Sequence, residues 1–252
     1  MLSSTRDALF SIFKSNMEGR VSPYQLEDTY AWTEEDYLYE DELSSRLEDV
    51  LDEGGLRYGA SKLVLKFDYC PNWVFKIPFQ GETYLGYDED TDMENATFYS
   101  WFNNVGRGLS IDCEFDRDEW DYCHVESKIT EYIEKEHPEL KDMFAKTYYI
   151  GDYGVPIYAS ERCDGDWDSE FQVVKQSAAY KTLSSSYHSS WRGGLDVSQQ
   201  ISLILSHGFK KANLLFDFLT ETGISDLHYS NLAYDDAGRV RIIDYSVYLC
   251  NY

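Results

Sequence analysis

Three side chains near the end of the sequence, Asp226, Asn231 and Asp244, have types and a spacing that suit metal chemistry. The segments NLAY and RVRIID alternate around DDAG, whose residues are typical of a tight turn. We therefore expect a β-hairpin in which Asn231 enters the first strand as Asp244 leaves the second. With Asp226 they form an oxygen-rich set suited to Mg²⁺, which takes further ligands from water and substrate phosphates. Polar residues that only cap the turns are the simpler interpretation.

The spacing D-x-x-x-x-N, followed thirteen residues later by an Asp on an apolar strand, resembles the catalytic and metal-binding motifs of the protein-kinase-like superfamily. SDLHYSN is most similar to the D-L-H-x-x-N form of the aminoglycoside-phosphotransferase branch. The resemblance implies that Asp226 is the base for the substrate hydroxyl and that Asn231 and Asp244 bind the metal. It places His228 where protein kinases commonly have a lysine near the transferred phosphate.

This superfamily needs a strand lysine that binds the α- and β-phosphates and a helix glutamate that orients it. Lys76 lies within the apolar strand segment WVFKIP, on a face that favours burial over solvent exposure. In the helical segment CHVESKITEYIEKEHPEL the candidate partners are Glu126 and Glu131. At about 100° per residue, Glu126 borders the apolar stripe, whereas Glu131 points away and suits an exposed pair with Lys135. We expect Glu126 to pair with Lys76.

The resemblance also implies a phosphate-binding turn between the first two predicted strands. Gly59, Ala60 and Ser61 lie there, and their backbone N–H groups suit a phosphate, with Lys62 adding charge. The full G-x-G-x-x-G pattern is missing, so a plain glycine turn is the alternative.

The superfamily's hinge, whose backbone binds adenine, is expected after the fifth predicted strand. The order along the chain places Glu161, Arg162 and Cys163 at this point. At the end of the second hairpin strand, Tyr245 and Ser246 stand in place of the family's Phe-Gly, and a serine restricts flipping of that segment.

The elements that position these residues follow from the periodicity of the sequence. SKLVLKF and WVFKIPF alternate as two antiparallel strands after a flexible GGLRYGAS. A helix in CHVESKITEYIEKE precedes two short strands in AKTYYIGDYGVPIYASE. VSQQISLILSHGFKKANLLFDFLTETG is predicted as one long helix that Gly208 interrupts only mildly.

This order predicts an α+β, protein-kinase-like two-lobed fold, with a small antiparallel β-sheet N-lobe and a reduced, mainly helical C-lobe. The predicted parts are an acidic helical N-terminal extension (1–55), the N-lobe (56–162) with an acidic insertion (81–122), and the C-lobe (163–252). Because eight residues follow Asp244, the family's activation segment and peptide-binding helices are expected to be missing. Residues 164–222, the N-terminal extension, a partner chain or a second copy would then have to cover the apolar underside of the long helix.

Composition limits the classes of function. The net charge of −24 repels phosphate backbones and anionic membranes, which argues against direct nucleic-acid binding. A solvated acidic exterior is the simplest interpretation, and a basic partner or a DNA-mimicking surface is the alternative. Five cysteines without a CxxC pair favour reduced thiols and a cytoplasmic location. No apolar stretch approaches 18 residues, so neither a membrane span nor a signal peptide is expected.

Three functions remain open at this point. The first is an ATP- and Mg²⁺-dependent phosphotransferase that moves the γ-phosphate to a hydroxyl of a protein (Ser, Thr or Tyr) or of a small molecule. The second is a pseudokinase or nucleotide-binding interaction module that presents its acidic surface to a partner. The third is nucleotidyl transfer to protein.

Overall fold

The computed structural model describes residues 1–30, 38–58, 62–78, 122–188, 192–224 and 227–245. These residues form a mixed α+β protein with two compact units. The first unit takes its described residues from 1–78, 122–128 and Lys146–Arg162, and the second from 129–145 and 163–245.

The first unit combines N-terminal helices with a five-stranded sheet. Its elements are, in chain order, α1 (Ser3–Met17), α2 (Pro23–Tyr30), α3 (Leu38–Leu47), β1 (Leu51–Tyr58), β2 (Lys62–Phe67), β3 (Trp73–Pro78), the first part of α4 (Tyr122–Glu136), β4 (Thr147–Asp152) and β5 (Pro156–Glu161). The strand order is β1-β2-β3-β5-β4, and every neighbouring pair is antiparallel. The two strands predicted in SKLVLKF and WVFKIPF are therefore present as neighbours.

One face of this sheet packs on the N-terminal helices. Leu9, Phe13 and Met17 recur at helical spacing in α1 and are buried. The Phe13 ring lies 5.5 Å from the ring of Phe75, and these residues belong to one apolar cluster that spans the helices and strands. The N-terminal segment, predicted as an extension, thus contributes to the core of the first unit.

The prediction of a flexible entry before the first strand is wrong for residues 54–58, which lie in β1. This strand begins at Leu51 and pairs with β2, but the register shifts between Leu51 and Leu56. A bulge of this kind interrupts the two-residue alternation. The sequence pattern for a strand is weak there for this reason.

The second unit contains helices around a three-stranded sheet. Its elements are the second part of α4, β6 (Gly165–Asp166), α5 (Trp167–Gln176), α6 (Ala178–Ser186), α7 (Val197–His207), α8 (Phe209–Thr222), a 3₁₀ turn (Tyr229–Asn231), β7 (Leu232–Tyr234) and β8 (Val240–Ile242). The sheet has the order β6-β7-β8 and is antiparallel. The segment before β4 runs beside β8, because Ile242 N–H donates to Met143 and Ala145 N–H donates to Ile242, both at 2.8 Å.

The predicted single long helix is two helices. Gly208 has φ 84° and ψ 152°, a conformation that ends α7 and begins α8. Residues other than glycine rarely adopt this backbone conformation. The apolar period continues through both helices, so the pattern conceals a break that a positive φ at one glycine produces.

No helix in the described ranges has both the length and the apolar character needed to cross a membrane.

Candidate functional site

One buried carboxylate in the first unit binds two lysine side chains. Glu126 is fully buried, and its Oε1 lies 2.5 Å from Lys62 Nζ while its Oε2 lies 2.5 Å from Lys76 Nζ. The Thr147 hydroxyl donates to Oε2 at 2.9 Å and is 3.0 Å from the hydroxyl of Ser160. The ion pair that the sequence predicts between Lys76 and Glu126 is therefore present in the structure.

The strand register explains why both lysines reach the same carboxylate. Val64 lies opposite Lys76, and Lys62 lies opposite Pro78, so the two lysines are diagonal neighbours on one face of the sheet. Their exposed fractions are 3% for Lys62 and 6% for Lys76. Because side chains alternate along a strand, this face is the opposite of the one that packs on the N-terminal helices.

Burial of these charges needs a reason other than stability. Moving charged groups out of water costs several kcal/mol per ion, and apolar replacements of buried ion pairs are often neutral or stabilising. A sheet that already has one apolar face does not require lysines on the other. Lysines held in place by a buried glutamate are, however, suited to binding an anionic ligand.

The hairpin predicted at the end of the sequence is present in the second unit. Leu232 pairs with Ile242, and Ile243 N–H donates to the carbonyl oxygen of Asn231 at 2.9 Å. Asn231 and Asp244 therefore lie at the same end of the hairpin, as predicted. Asn231 is 8% exposed and Asp244 is half-buried.

The DDAG turn at the other end of this hairpin is organised by Asp235. Its carboxylate accepts the N–H groups of Ala237 at 3.0 Å and Arg239 at 2.9 Å. Burial opposes ionisation, but the hydrogen bonds from Arg239 outweigh it and lower the pKa of Asp235. The ionised side chain of Asp235 thus stabilises the turn.

Asp244 has an uncommon backbone conformation. Its φ is 52°, and within the described part of the chain it is the one non-glycine residue with a positive φ. Such a conformation costs about 1–2 kcal/mol for an L-residue, and strained positions of this kind cluster at functional sites.

Tyr245 holds the backbone next to Asp244. It is fully buried, and its hydroxyl donates to the carbonyl oxygen of Ala145 at 2.9 Å. Because that proton is used, Thr130 Oγ1, at 2.7 Å, is the donor to the Tyr245 oxygen. The ring of Tyr245 also packs edge-on against Phe144, with centroids 5.1 Å apart. These contacts fix Tyr245; Ser246, at which the sequence predicts restricted flipping, lies outside the described residues.

His228 caps the 3₁₀ turn that leads to Asn231. Its Nδ1 accepts the N–H of Ser230 at 3.3 Å and lies 2.8 Å from the Ser230 hydroxyl oxygen. The imidazole is exposed, and its Nε2 remains the ring nitrogen for other contacts. The predicted place of His228 near a transferred phosphate stays a prediction.

Asp226 itself lies outside the described residues, but the backbone after it is fixed. Leu227 is buried, and its N–H donates to the carbonyl oxygen of Gly193 at 3.1 Å. Gly193 has φ 61°, and a Cβ there would come within 2.9 Å of the Ile224 carbonyl oxygen. Only glycine suits this close approach.

At the predicted hinge, two backbone donors are already used within the first unit. Glu161 N–H donates to Lys146 at 2.9 Å, and Arg162 N–H donates to Asn72 at 3.0 Å. The Glu161 carboxylate binds the Lys146 ammonium at 3.0 Å. Adenine binding at Glu161 would therefore have to use its carbonyl oxygen, and the role of Cys163, which is half-buried, stays a prediction.

The predicted phosphate-binding turn, Gly59, Ala60 and Ser61, also lies outside the described residues. The sequence predicts that Lys62 adds charge at this turn, which stays a prediction; in the structure its ammonium contacts Glu126. The alternation of β2 and β3 puts each lysine on one face of its own strand. Only the register between the two strands shows that both lysines lie close to the same carboxylate. The contributions of Thr147 and Gly193 have no comparable signal in the sequence.

The side-chain oxygens predicted at the end of the hairpin are of a type that suits a magnesium ion better than a transition metal. Within the described ranges, no three His, Cys, Asp or Glu side chains come together as a metal site. Asn231 and Asp244 lie at the same end of the hairpin, and their predicted role as metal ligands stays a prediction; Mg²⁺ commonly completes its octahedron with waters and phosphate oxygens.

The sequence matches no protein-family model, no curated protein and no solved structure at a significant level. The site chemistry and the family resemblance of the motifs are thus the grounds for a functional proposal.

Proposed function

We propose that the chain is an ATP- and Mg²⁺-dependent phosphotransferase of the protein-kinase-like type, which moves the γ-phosphate to a hydroxyl of a protein or a small molecule. The observation that carries the proposal is the buried pair of Lys76 with Glu126 at 2.5 Å. The family motif that Asp226 and Asn231 resemble requires such a pair. Lys76 and Glu126 lie far from these two motif residues along the chain.

Lys76 is assigned to the phosphates of ATP. An ammonium group has three N–H donors, and Glu126 takes one of them at 2.5 Å. The carboxylate therefore fixes the direction of the side chain while other donors remain to bind phosphate oxygens. Fixing a charged group before the reaction avoids the cost of reorganising it in the transition state.

Asn231 and Asp244 are assigned to the metal, and Asp226 to the acceptor hydroxyl. Bound Mg²⁺ neutralises charge on the phosphate oxygens during phosphoryl transfer. The positive φ of Asp244 and the burial of Asn231 hold these two ligands at fixed positions in the second unit. Asp226 orients the hydroxyl and accepts its proton as the new O–P bond forms, while the bond from the γ-phosphorus to the β–γ bridging oxygen breaks and ADP leaves.

The finer fold assignment belongs to the same proposal. The five-stranded antiparallel sheet with α4 would correspond to the N-lobe, and the helical second unit with its hairpin would correspond to the C-lobe. This assignment is supported by the order of the elements along the chain: the antiparallel strands come first, with the buried lysine and glutamate, and the hairpin follows.

Thermal unfolding with ATP tests the nucleotide and metal assignments. We expect ATP with Mg²⁺ to raise the melting temperature of the wild type, because a ligand that binds only the folded state stabilises it. Asp244→Ala removes a metal ligand and is expected to lose the Mg²⁺-dependent part of the increase. Asp236→Ala, an exposed residue in the turn of the same hairpin, is the matched control and is expected to retain it.

The outcomes separate the remaining alternatives. A wild type that ATP does not stabilise contradicts the proposal. Stabilisation without any transfer of phosphate identifies a pseudokinase, and transfer of the α-phosphate identifies nucleotidyl transfer.

A further inference from the structure

Strand β1 places an arginine on the sheet face that carries Lys76. Arg57 lies opposite Val64, and Val64 lies opposite Lys76, so the three residues form a row across β1, β2 and β3. Residues that lie directly opposite each other in an antiparallel sheet have their side chains on the same face. Two strand spacings separate Arg57 from Lys76, which is about 10 Å between their backbones.

The guanidinium of Arg57 has no carboxylate partner within the described ranges, although the chain has 46 acidic and 22 basic side chains. Arg57 is exposed, whereas Lys76 is buried against Glu126. Other arginines of the described ranges each form an ion pair with an Asp or Glu: Arg20, Arg46, Arg162, Arg192 and Arg239. The N–H donors of Arg57 therefore remain for a ligand.

The backbone of β1 makes room for this side chain at Gly54. A Cβ at Gly54 would lie 3.3 Å from Nη2 and 3.8 Å from Cζ of Arg57, so the guanidinium lies beside this glycine. The φ of Gly54 is 61°, which glycine adopts freely. The residue lies in the irregular register between Leu51 and Leu56, and bulges of this kind re-aim side chains and occur next to active sites.

We infer that Arg57 is a second phosphate-binding side chain, which contacts the phosphate chain of the nucleotide that Lys76 also binds. This inference rests on the proposed function and deepens it, because it adds a residue of β1 to the phosphate site. A guanidinium donates two parallel N–H bonds to a phosphate, a geometry that a lysine ammonium does not offer. Val64, between the two cations, is apolar and half-buried, so a ligand that contacts both passes over an uncharged side chain.

Calorimetric titration with MgATP measures the contribution of Arg57. We expect Arg57→Met to weaken binding by about tenfold, the lower end of the effect of a charge-assisted hydrogen bond, because the side chain is exposed. Arg57→Lys keeps the charge but loses the two parallel donors, so an intermediate affinity is expected. Lys14→Met is the control and should bind as the wild type does, because Lys14 is an exposed residue of α1, which packs on the opposite face of the sheet.

The salt dependence of binding distinguishes a direct charge contact from a structural role. An exposed cation is screened by salt more strongly than a buried one. The affinity of the wild type for MgATP is therefore expected to fall from about 0.05 to about 0.5 M NaCl, and that of Arg57→Met is expected to fall less. Equal salt dependence in the two proteins would overturn the inference.

Two results separate this inference from the proposed function. If the wild type binds MgATP and Arg57→Met binds it as tightly as Lys14→Met does, Arg57 does not bind phosphate and only the inference is wrong. If the wild type does not bind MgATP, the proposed function is wrong as well.

A second measurement uses the wild-type chain and does not depend on variants. Phenylglyoxal condenses with accessible guanidinium groups, and mass spectrometry locates the modified residues. MgATP is expected to protect Arg57 but not Arg46, whose guanidinium binds Glu42 in α3. Modification of Arg57 at the same rate with and without MgATP would overturn the inference.

Discussion

Glu126 is the residue on which the buried charges of the first unit depend. It compensates both Lys62 and Lys76 and is itself fully buried. Removing one partner from a buried ion pair is much more costly than replacing the whole pair, because it leaves charge in an apolar environment. The two glutamates considered from sequence, Glu126 and Glu131, should therefore behave very differently.

Glu126→Ala is expected to lower the free energy of unfolding by about 3–5 kcal/mol, because it leaves two buried ammonium groups without their carboxylate. Glu131→Ala, an exposed position in the same helix, is expected to change it by less than about 0.5 kcal/mol. Urea unfolding followed by circular dichroism measures both. Equal effects of the two substitutions would show that the lysines do not depend on Glu126.

Tyr245 is the corresponding anchor in the second unit, beside the strained Asp244. Tyr245→Phe keeps the ring contact with Phe144 but leaves the buried Ala145 carbonyl and Thr130 hydroxyl without the phenol. We expect a loss of about 1–3 kcal/mol in the free energy of unfolding. A higher Mg²⁺ concentration for half-maximal stabilisation by ATP is expected as well, because Asp244 is then less well held.

The control for this variant is Tyr229→Phe, since Tyr229 is 61% exposed and close to the same hairpin. Tyr229→Phe should change neither the free energy of unfolding nor the Mg²⁺ concentration for half-maximal stabilisation by ATP. A Tyr245→Phe variant that loses stability but keeps the wild-type Mg²⁺ dependence would show that Tyr245 has no influence on Asp244, the proposed metal ligand.

The hairpin of β7 and β8 is held by the end of helix α7. Val240 N–H donates to the Ser206 hydroxyl at 2.8 Å, and the carbonyl oxygen of Val240 lies 2.6 Å from Nε2 of His207. Burial lowers the pKa of His207, although the hydrogen bond to Val240 acts in the opposite direction. The junction of helix and hairpin is thereby sensitive to pH.

The sign of this pH dependence follows from the lowered pKa. Below about pH 6.5, the usual pKa of histidine, the unfolded state binds a proton at His207 that the folded state binds less readily. Stability is therefore expected to fall as the pH decreases from about 6.5 through the lower folded pKa. His207→Gln should reduce this dependence, whereas His188→Gln, at an exposed position, should not. Identical pH profiles for the wild type and His207→Gln would contradict the expectation.

The elements that could be predicted from sequence are those with a clear period and ordinary turns. The alternation in β2, β3 and the β7–β8 hairpin predicts these strands, and the helical period predicts α4 with Glu126 beside its apolar stripe; all of these elements are present. The break at Gly208 and the bulge in β1 were missed, because a single backbone conformation causes each one and leaves the apolar pattern almost unchanged.

For the candidate site, the sequence predicted the pairing of Lys76 with Glu126 but not the second lysine. A resemblance between motifs specifies which residue types to expect, and the Asp226 motif requires only one lysine. The position of Lys62 depends on the register of β2 against β3, which places it diagonal to Lys76. Register is a property of the paired strands and is not encoded at any single position.

The chain as a whole carries a net charge of −24, yet the proposed phosphate site consists of lysines. Charges on the exposed surface are screened within about 8 Å at physiological ionic strength, whereas buried charges are screened much less. The ammonium groups on Glu126 are therefore screened less than the charges of the acidic exterior. Mg²⁺ further reduces the repulsion between ATP and the acidic exterior, which agrees with the metal requirement of the proposal.

The central claim, transfer of the γ-phosphate, is tested most directly with labelled ATP. The chain is incubated with Mg²⁺ and either γ- or α-labelled ATP, together with a heat-inactivated lysate that supplies protein and small-molecule hydroxyls. We predict incorporation of label from γ-labelled ATP only, lost in Asp226→Ala and retained in Asp236→Ala, because the first substitution removes the proposed base. Incorporation that persists in Asp226→Ala, or label that comes from the α-phosphate, would contradict this account.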